Sequence, residues 1–279
     1  MPTPEDTSPP LHITTGFNTL SQCRHGWMLY HTADKFLGRS LQKYGEFSEG
    51  EVALFRQILR TGDVVVEAGA NFGTHTVVMA KLVGEGGRVF AFEPQRLVFQ
   101  SMAANVALNA LPNVHTVHAG LGAAPGSIKV PVLNPEKGHN FGGFSIDGHE
   151  QGESVAVQTV DSLQLRRCRL LKVDVEGMES EVLEGARDTI ARCRPLLYVE
   201  NDRKEHSARL IALIQSFDYR LWWHLPRLYN PNNFRGDGEN LFGNLLSVNV
   251  LCVPRESTTT VDLREILSPE DDWRKPPAA

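Results

Sequence analysis

The stretch 62-GDVVVEAGANFGTHTVVMA-80 reads as an apolar strand, a glycine turn and the start of a helix, which is how many nucleotide sites are built. A dinucleotide turn follows G-x-G-x-x-G, and its middle glycine lets a pyrophosphate approach the backbone. Here 69-GANFG-73 puts Asn71 in that middle place. The strand also ends in Glu67, whose carboxylate would repel a pyrophosphate in a partly desolvated crevice and attract a cation.

On either side of this stretch the chain alternates between strand and helix patterns. Before it, 48-SEGEVALFRQILRTGD-63 places Val52, Phe55, Ile58 and Leu59 at helical spacing, with Ser48 as N-cap and Glu51 three residues on. After it come strand 88-RVFAF-92, helix 95-QRLVFQSMAANVALN-109 behind Pro94, and strand 114-VHTVH-118. Short β-like pieces, 127-SIKVPVL-133 and 154-SVAVQT-159, flank a glycine-rich loop over 138–148 that reads as an insertion near the site. The alternation resumes with strand 169-RLLKVDV-175, helix 178–193, strand 196-LLYVEN-201 and helix 205–217. Two strands close it, 219-YRLWWH-224 and 244-NLLSVNVLCV-253. Apolar strands separated by amphipathic helices predict an α/β fold: a mostly parallel central sheet, helices on both faces and an antiparallel edge pair.

The 279 residues, 41% of them hydrophobic, suit one large domain, placed here at 24–255 between an N-terminal arm (1–23) and a polar C-terminal tail (256–279). A net charge of -5 gives no cationic surface for tracking phosphates, so no nucleic-acid partner is expected. The opening MPTPEDTSPP lacks the basic start and apolar run of a signal peptide, and no apolar run is long enough for a bilayer. Cys23, Cys168, Cys193 and Cys252 form no metal or CxxC spacing and read as reduced thiols; a cytoplasmic location without membrane partners is expected. The ten histidines form no zinc pair, and His75 reads as structural.

The second strand ends in Glu93, twenty positions after Gly73, where a carboxylate can accept both hydroxyls of a ribose. S-adenosylmethionine carries a sulfonium, an ammonium and a carboxylate but no phosphate. It therefore suits E-x-G-x-N-x-G better than a dinucleotide does. Beyond this turn, the segments 44-YGEFSEGE-51, 63-DVVVEAGANFGTHT-76, 90-FAFEP-94, 159-TVDSL-163, 171-LKVDVEGMESEVLEGA-186 and 195-PLLYVEN-201 together resemble the FkbM-type family of S-adenosylmethionine-dependent methyltransferases, over about 24–254. One departure is Glu67, where the family often has Asp; the charge is kept. The resemblance implies a Rossmann-like class I methyltransferase domain that methylates an oxygen of a small-molecule acceptor, a sugar or a secondary metabolite. It implies that Glu67, Gly69, Asn71 and Gly73 frame the methionyl part, that Glu93 holds the ribose, and that Gly120 and Leu121 sit near adenine. Tyr44 and Glu46 resemble a motif expected to fold over the cofactor.

Asp174 and Glu176, in 172-KVDVEG-177, fall at the carboxyl end of a central strand, where open α/β sheets build their sites. Methyl transfer to an alcohol requires an aligned lone pair and a route for the proton, so Asp174, Glu176 or Glu200 is a candidate base. Glu176 could instead cap the following helix, and Asp174 could order a loop. Asp174, Glu200 and Asn201 could also offer oxygen ligands to a divalent cation, although no specific motif requires one. Trp222, Trp223, Phe141, Phe144 and Tyr229 are candidates for an acceptor pocket, with at most one of the adjacent tryptophans facing it, and 225–243 for a lid. The rival readings are an NAD-dependent oxidoreductase, disfavoured by Asn71 and Glu67, and a non-catalytic adenosyl-binding module.

Overall fold

The computed structural model describes residues 12–143 and 149–275. In chain order the elements are β1 (His12–Thr15), β2 (Asn18–Cys23), β3 (Gly26–His31), α1 (Leu37–Tyr44), α2 (Glu49–Ile58), β4 (Val64–Ala68), α3 (Thr74–Val83), β5 (Arg88–Phe92), α4 (Arg96–Leu108) and β6 (Val114–Val117). Then follow β7 (Gly120–Leu121), β8 (Gly126–Val130), β9 (Glu153–Gln158), β10 (Leu170–Val173), α5 (Glu179–Glu184), α6 (Arg187–Cys193), β11 (Leu196–Glu200), α7 (Lys204–Ser216), β12 (Tyr219–His224), β13 (Asn249–Pro254) and β14 (Arg264–Ile266).

The central sheet has the order β14-β12-β13-β11-β10-β4-β5-β6. Strands β6, β5, β4, β10 and β11 are mutually parallel, and β13 runs antiparallel between β11 and β12. Successive residues of β4 feed opposite cores. Val64 and Val66 join the helix-covered core that includes Ile190, Leu210 and Ile214, while Val65 joins the one holding Phe55, Met79 and Met102. This burial on both faces is why the parallel strands are continuous apolar runs rather than alternating ones. From β4 the chain winds outward through β5 and β6, then returns to β10 on the other side of β4. The carboxyl ends of β4 and β10 therefore flank the topological switch point, where such sheets bind ligands.

Two boundaries differ from the sequence reading. Residues 12–23, expected as arm, form β1 and β2 of a three-stranded antiparallel sheet with β3. Helix α4 docks on the free edge of β3 through Asn105 and Asn109. Each amide accepts from and donates to one β3 residue: Leu29 for Asn105 (2.5 and 2.9 Å) and Trp27 for Asn109 (3.1 and 2.7 Å). Four helical residues advance about 6 Å, close to the rise of two strand residues, so the two asparagines match alternate positions of that edge. At the other end, residues 264–266 of the expected tail form β14 on β12, so the sheet closes with three antiparallel strands instead of a pair.

The expected helix over 178–193 is broken into α5 and α6. At the break, a Cβ on Gly185 would lie 2.0 Å from the Gly122 carbonyl oxygen. The carboxylate of Asp161 caps α6 by accepting from the N–H groups of Asp188 (3.0 Å) and Thr189 (2.7 Å). Among the described residues no helix is long and apolar enough to cross a membrane.

Candidate active site

The turn after β4 is built by close approach. Gly69 has φ +79°, its N–H and that of Ala70 bond the Phe92 carbonyl, and an added Cβ would lie 1.8 Å from the Asp174 carbonyl oxygen. Only glycine lets the ends of β4 and β10 come this near. Asn71 takes a left-handed φ of 51°, and Gly73, at φ +81°, packs against Met102 on α4. Around this turn lies a cleft of about 380 Å³, walled by Glu51, Glu67, His75, Lys172, Asp174, Glu176, Glu200 and Arg203 on its polar side and by Phe36, Phe47, Leu228 and Leu245 on its apolar side. A smaller hollow of about 50 Å³ shares Gly69, Asn71, Gly142, Asp174 and Glu176 with it and adds Glu93, Pro94, Gln95 and Val175.

Glu67 ends β4 inside the cleft and is 1% exposed. Its carboxylate accepts from the Thr76 hydroxyl at 2.6 Å and lies 3.8 Å from the Lys172 ammonium, which also contacts Asp174 at 3.0 Å. Lys172 is buried in the middle of β10, and its charge is balanced by these two acids. Burial pushes the Glu67 carboxyl up to about 7, even against the pull of Lys172 and Thr76. Glu51 is likewise buried in the cleft wall and accepts from the Ser48 and Ser247 hydroxyls at 2.8 and 2.9 Å. Ser48 therefore serves Glu51 and makes no side-chain cap on α2.

Glu93 lies on the far side of the turn. One carboxylate oxygen accepts from the Asn71 N–H (2.9 Å) and the other from the Gln95 N–H (2.8 Å). Burial raises this carboxyl to about 7, with the two backbone N–H groups holding it back. Each oxygen keeps a lone pair for a further donor. The N–H of the position that would face a pyrophosphate is thus already committed to a carboxylate.

Asp174, Glu176 and Glu200 converge, with one ligand-capable oxygen from each within 4.8 Å of the others. Asp174 pairs with Lys172, and Glu176 pairs with Arg203 at 2.7 Å. Glu176 holds a left-handed φ of 59° and does not cap α5, which has no side-chain cap; Glu179 instead accepts from the Gly177 N–H at 2.9 Å in the turn ahead of the helix. The Glu200 Oε2 atom is buried without a hydrogen-bond partner among the described residues. Burial, then Asp174 and Glu176, push the Glu200 carboxyl well above its usual range, and Glu176 also moves up through burial and Asp174, against Arg203. Two protein cations already compensate two of the three acids, which leaves a weak donor set for a divalent ion. Asn201, considered as an oxygen ligand together with Asp174 and Glu200, is buried next to Glu200 in the chain.

Other expected site residues are placed elsewhere. Tyr44 is 1% exposed; its hydroxyl donates to the Glu239 carbonyl and accepts from the Leu241 N–H, both at 2.8 Å, and its ring packs on Tyr229 and Phe242. Glu46 binds Arg24 (2.5 Å), the Asn230 amide (2.8 Å) and the Phe234 N–H (2.7 Å). Both residues anchor the loop 225–243, and their polar atoms are consumed there rather than offered over a cofactor. Gly120 and Leu121 pair with Val157 and Gln158 in a small β7-β9-β8 sheet and line neither hollow; Leu121 is an apolar core residue. Trp222 and Trp223 are 3% and 2% exposed in opposite cores, and Phe141 is buried in a third cluster, so none of them forms the acceptor wall. Phe144 lies outside the described residues. Phe36, Phe47, Glu51 and Lys172 line the cleft without being expected there from sequence, as does His75, which reads as structural. A charged residue at the centre of an apolar strand is the sequence signal for Lys172.

A model of the FkbM methyltransferase domain matches residues 67–221. Methyltransferase 1 of Beauveria bassiana is 29% identical over 147 residues, 44% of this chain and 58% of its own length. The hexuronic acid methyltransferase AglP of Haloferax volcanii is 29% identical over 140 residues, 49% of this chain and 56% of its own. The chain thus spans little more than half the length of these relatives. Among solved structures, a methyltransferase FkbM from Methylobacillus flagellatus aligns with a TM-score of 0.45 at 17% identity, over 72% of this chain and 50% of that one. A SAM-dependent O-methyltransferase from Thermotoga maritima aligns with a TM-score of 0.46 at 11% identity, over 90% and 87%. With the family model covering the turn after β4, the acids of β10 and β11 and the sheet as far as β12, the chain belongs to the FkbM methyltransferase family.

Proposed function

We propose that this protein is an S-adenosylmethionine-dependent methyltransferase acting on a hydroxyl of a small molecule, a sugar or a secondary metabolite. The observation that carries the reading is the hydrogen bond from the Asn71 N–H to Glu93. It puts a carboxylate, instead of a free backbone donor, at the entry to the turn. That arrangement suits the hydroxyls of an adenosyl ribose and opposes the pyrophosphate of a dinucleotide. When bound, the cofactor supplies an electrophilic methyl group; the chain's part is to hold, orient and accept a proton.

Glu93 would hold the ribose in the smaller hollow, and the Gly69–Gly73 turn would pass beneath the sulfur. The acceptor would lie in the main cleft, with Phe36, Phe47, Leu228 and Leu245 excluding water from one side. Asp174 borders both hollows and is more open than Glu176, with 35% of its side chain exposed against 16%. We assign it to take the hydroxyl proton, with Lys172 fixing its position. Burial, then Asp174 and Glu176, push the Glu200 carboxyl up, so it is the less suited of the acids to act as the base, and it would face the acceptor from the cleft wall. No step requires a metal.

The test is transfer of a tritium-labelled methyl group from S-adenosylmethionine to a panel of hydroxylated sugars and phenols. Wild-type protein labels an acceptor, and Asp174→Asn lowers its rate by about 10²-fold or more, the scale of a lost base. An undiminished rate in Asp174→Asn removes that residue from the chemistry.

A further inference from the structure

His75 is the second residue of α3, is 5% exposed and lines the main cleft. Its ring meets Phe55 edge-on at 5.3 Å and lies tilted to Phe47 at 6.1 Å. Its Nε2 is buried and has no hydrogen-bond partner among the described residues. Buried polar atoms are almost always paired, and an unpaired one costs stability, so a group left open on a cleft wall points to a ligand.

The surroundings indicate which part of a ligand belongs there. Glu93 lines only the smaller hollow and His75 only the larger, with the turn at Gly69 and Asn71 shared between them. A cofactor whose ribose is at Glu93 and whose chain crosses the turn therefore brings its amino-acid end toward His75. Nearby are the first N–H groups of α3, whose ladder begins with Val77 N–H to the Gly73 carbonyl. Helix N-termini favour anions. Burial, helped by the Lys172 ammonium, keeps the imidazole neutral, with a pKa pushed down to about 3. The ring thus offers a hydrogen bond without a charge of its own.

We propose that His75, with the proton on Nε2, donates to the α-carboxylate of the cofactor's methionyl group and is a determinant of affinity for that end. The proposal rests on the S-adenosylmethionine reading above and adds a residue and a contact to it.

The test compares S-adenosylhomocysteine, which carries the amino-acid end, with 5′-methylthioadenosine, which lacks it. Both are titrated calorimetrically into wild type, His75→Phe and His75→Gln. Phenylalanine keeps the packing against Phe55 but removes the donor, whereas glutamine keeps a donor. The expected result is that His75→Phe binds S-adenosylhomocysteine about tenfold more weakly, the loss of one good hydrogen bond. In the same variant methylthioadenosine affinity stays within twofold of wild type, and His75→Gln recovers part of the loss. An equal loss for both ligands would make the role of His75 structural and overturn the proposal, as would no loss for either. Failure of wild type to bind either ligand would instead remove the cofactor reading itself.

Discussion

Glu93 and Glu67 are carboxylates in which burial outweighs every favourable contact in the free protein, and this gives their ionisation an unusual sign. A carboxyl with a folded pKa of about 7 and an ordinary unfolded value near 4.5 binds its proton more tightly in the folded state. Its cost is absent below the unfolded value, grows as pH rises between the two, and is fully present above about 7. Relative to Glu93→Gln, wild type should therefore lose roughly 3 kcal/mol of stability between pH 4.5 and pH 8, read from paired denaturant titrations. A flat difference would remove Glu93 from that role. On the ligand side, Glu93→Ala should weaken S-adenosylhomocysteine binding by about 1.5–3 kcal/mol, the scale of hydrogen bonds to a charged group; wild-type affinity would contradict the ribose assignment. Lys172 is the opposite case. Lys172→Met leaves Glu67 and Asp174 without their buried counter-charge, so at pH 8 it should destabilise the fold by about 3–5 kcal/mol. The penalty should be smaller at pH 5, where Glu67 is protonated.

At the scale of elements, the turn after β4 was legible because its signals are local: an apolar run, glycines at fixed spacing and a helical period, all within twenty residues. Glu93 and Asp174 were legible for a related reason, since each stands at the end of a parallel strand. The destinations of Tyr44 and Glu46 were not, because their partners in the loop 225–243 are almost two hundred residues away and no local pattern records that pairing. The same holds for β1 and β2, whose anchorage depends on α4 presenting Asn105 and Asn109 to the edge of β3. Tyr44→Phe removes one donor and one acceptor from the loop. It should speed amide hydrogen exchange at 237–243 while leaving β4 and β10 protected; uniform acceleration across the sheet would show that Tyr44 supports the whole fold instead.

Over the whole molecule, an eight-stranded sheet carries the candidate site at one end of β4, β10 and β11, while β1–β3 form a separate sheet docked on α4. Strand β14 covers the outer edge of β12, and Asp271 accepts from the Trp223 indole N–H at 3.1 Å, so the C-terminal segment seals a core tryptophan. The central proposal is that the crevice between β4 and β10 accepts an adenosyl sulfonium cofactor and rejects a dinucleotide. Calorimetric titration of the wild-type chain with S-adenosylhomocysteine and, separately, with NAD tests it most directly. The account predicts saturable binding of S-adenosylhomocysteine and no heat from NAD. Binding of NAD, with none of S-adenosylhomocysteine, would contradict it.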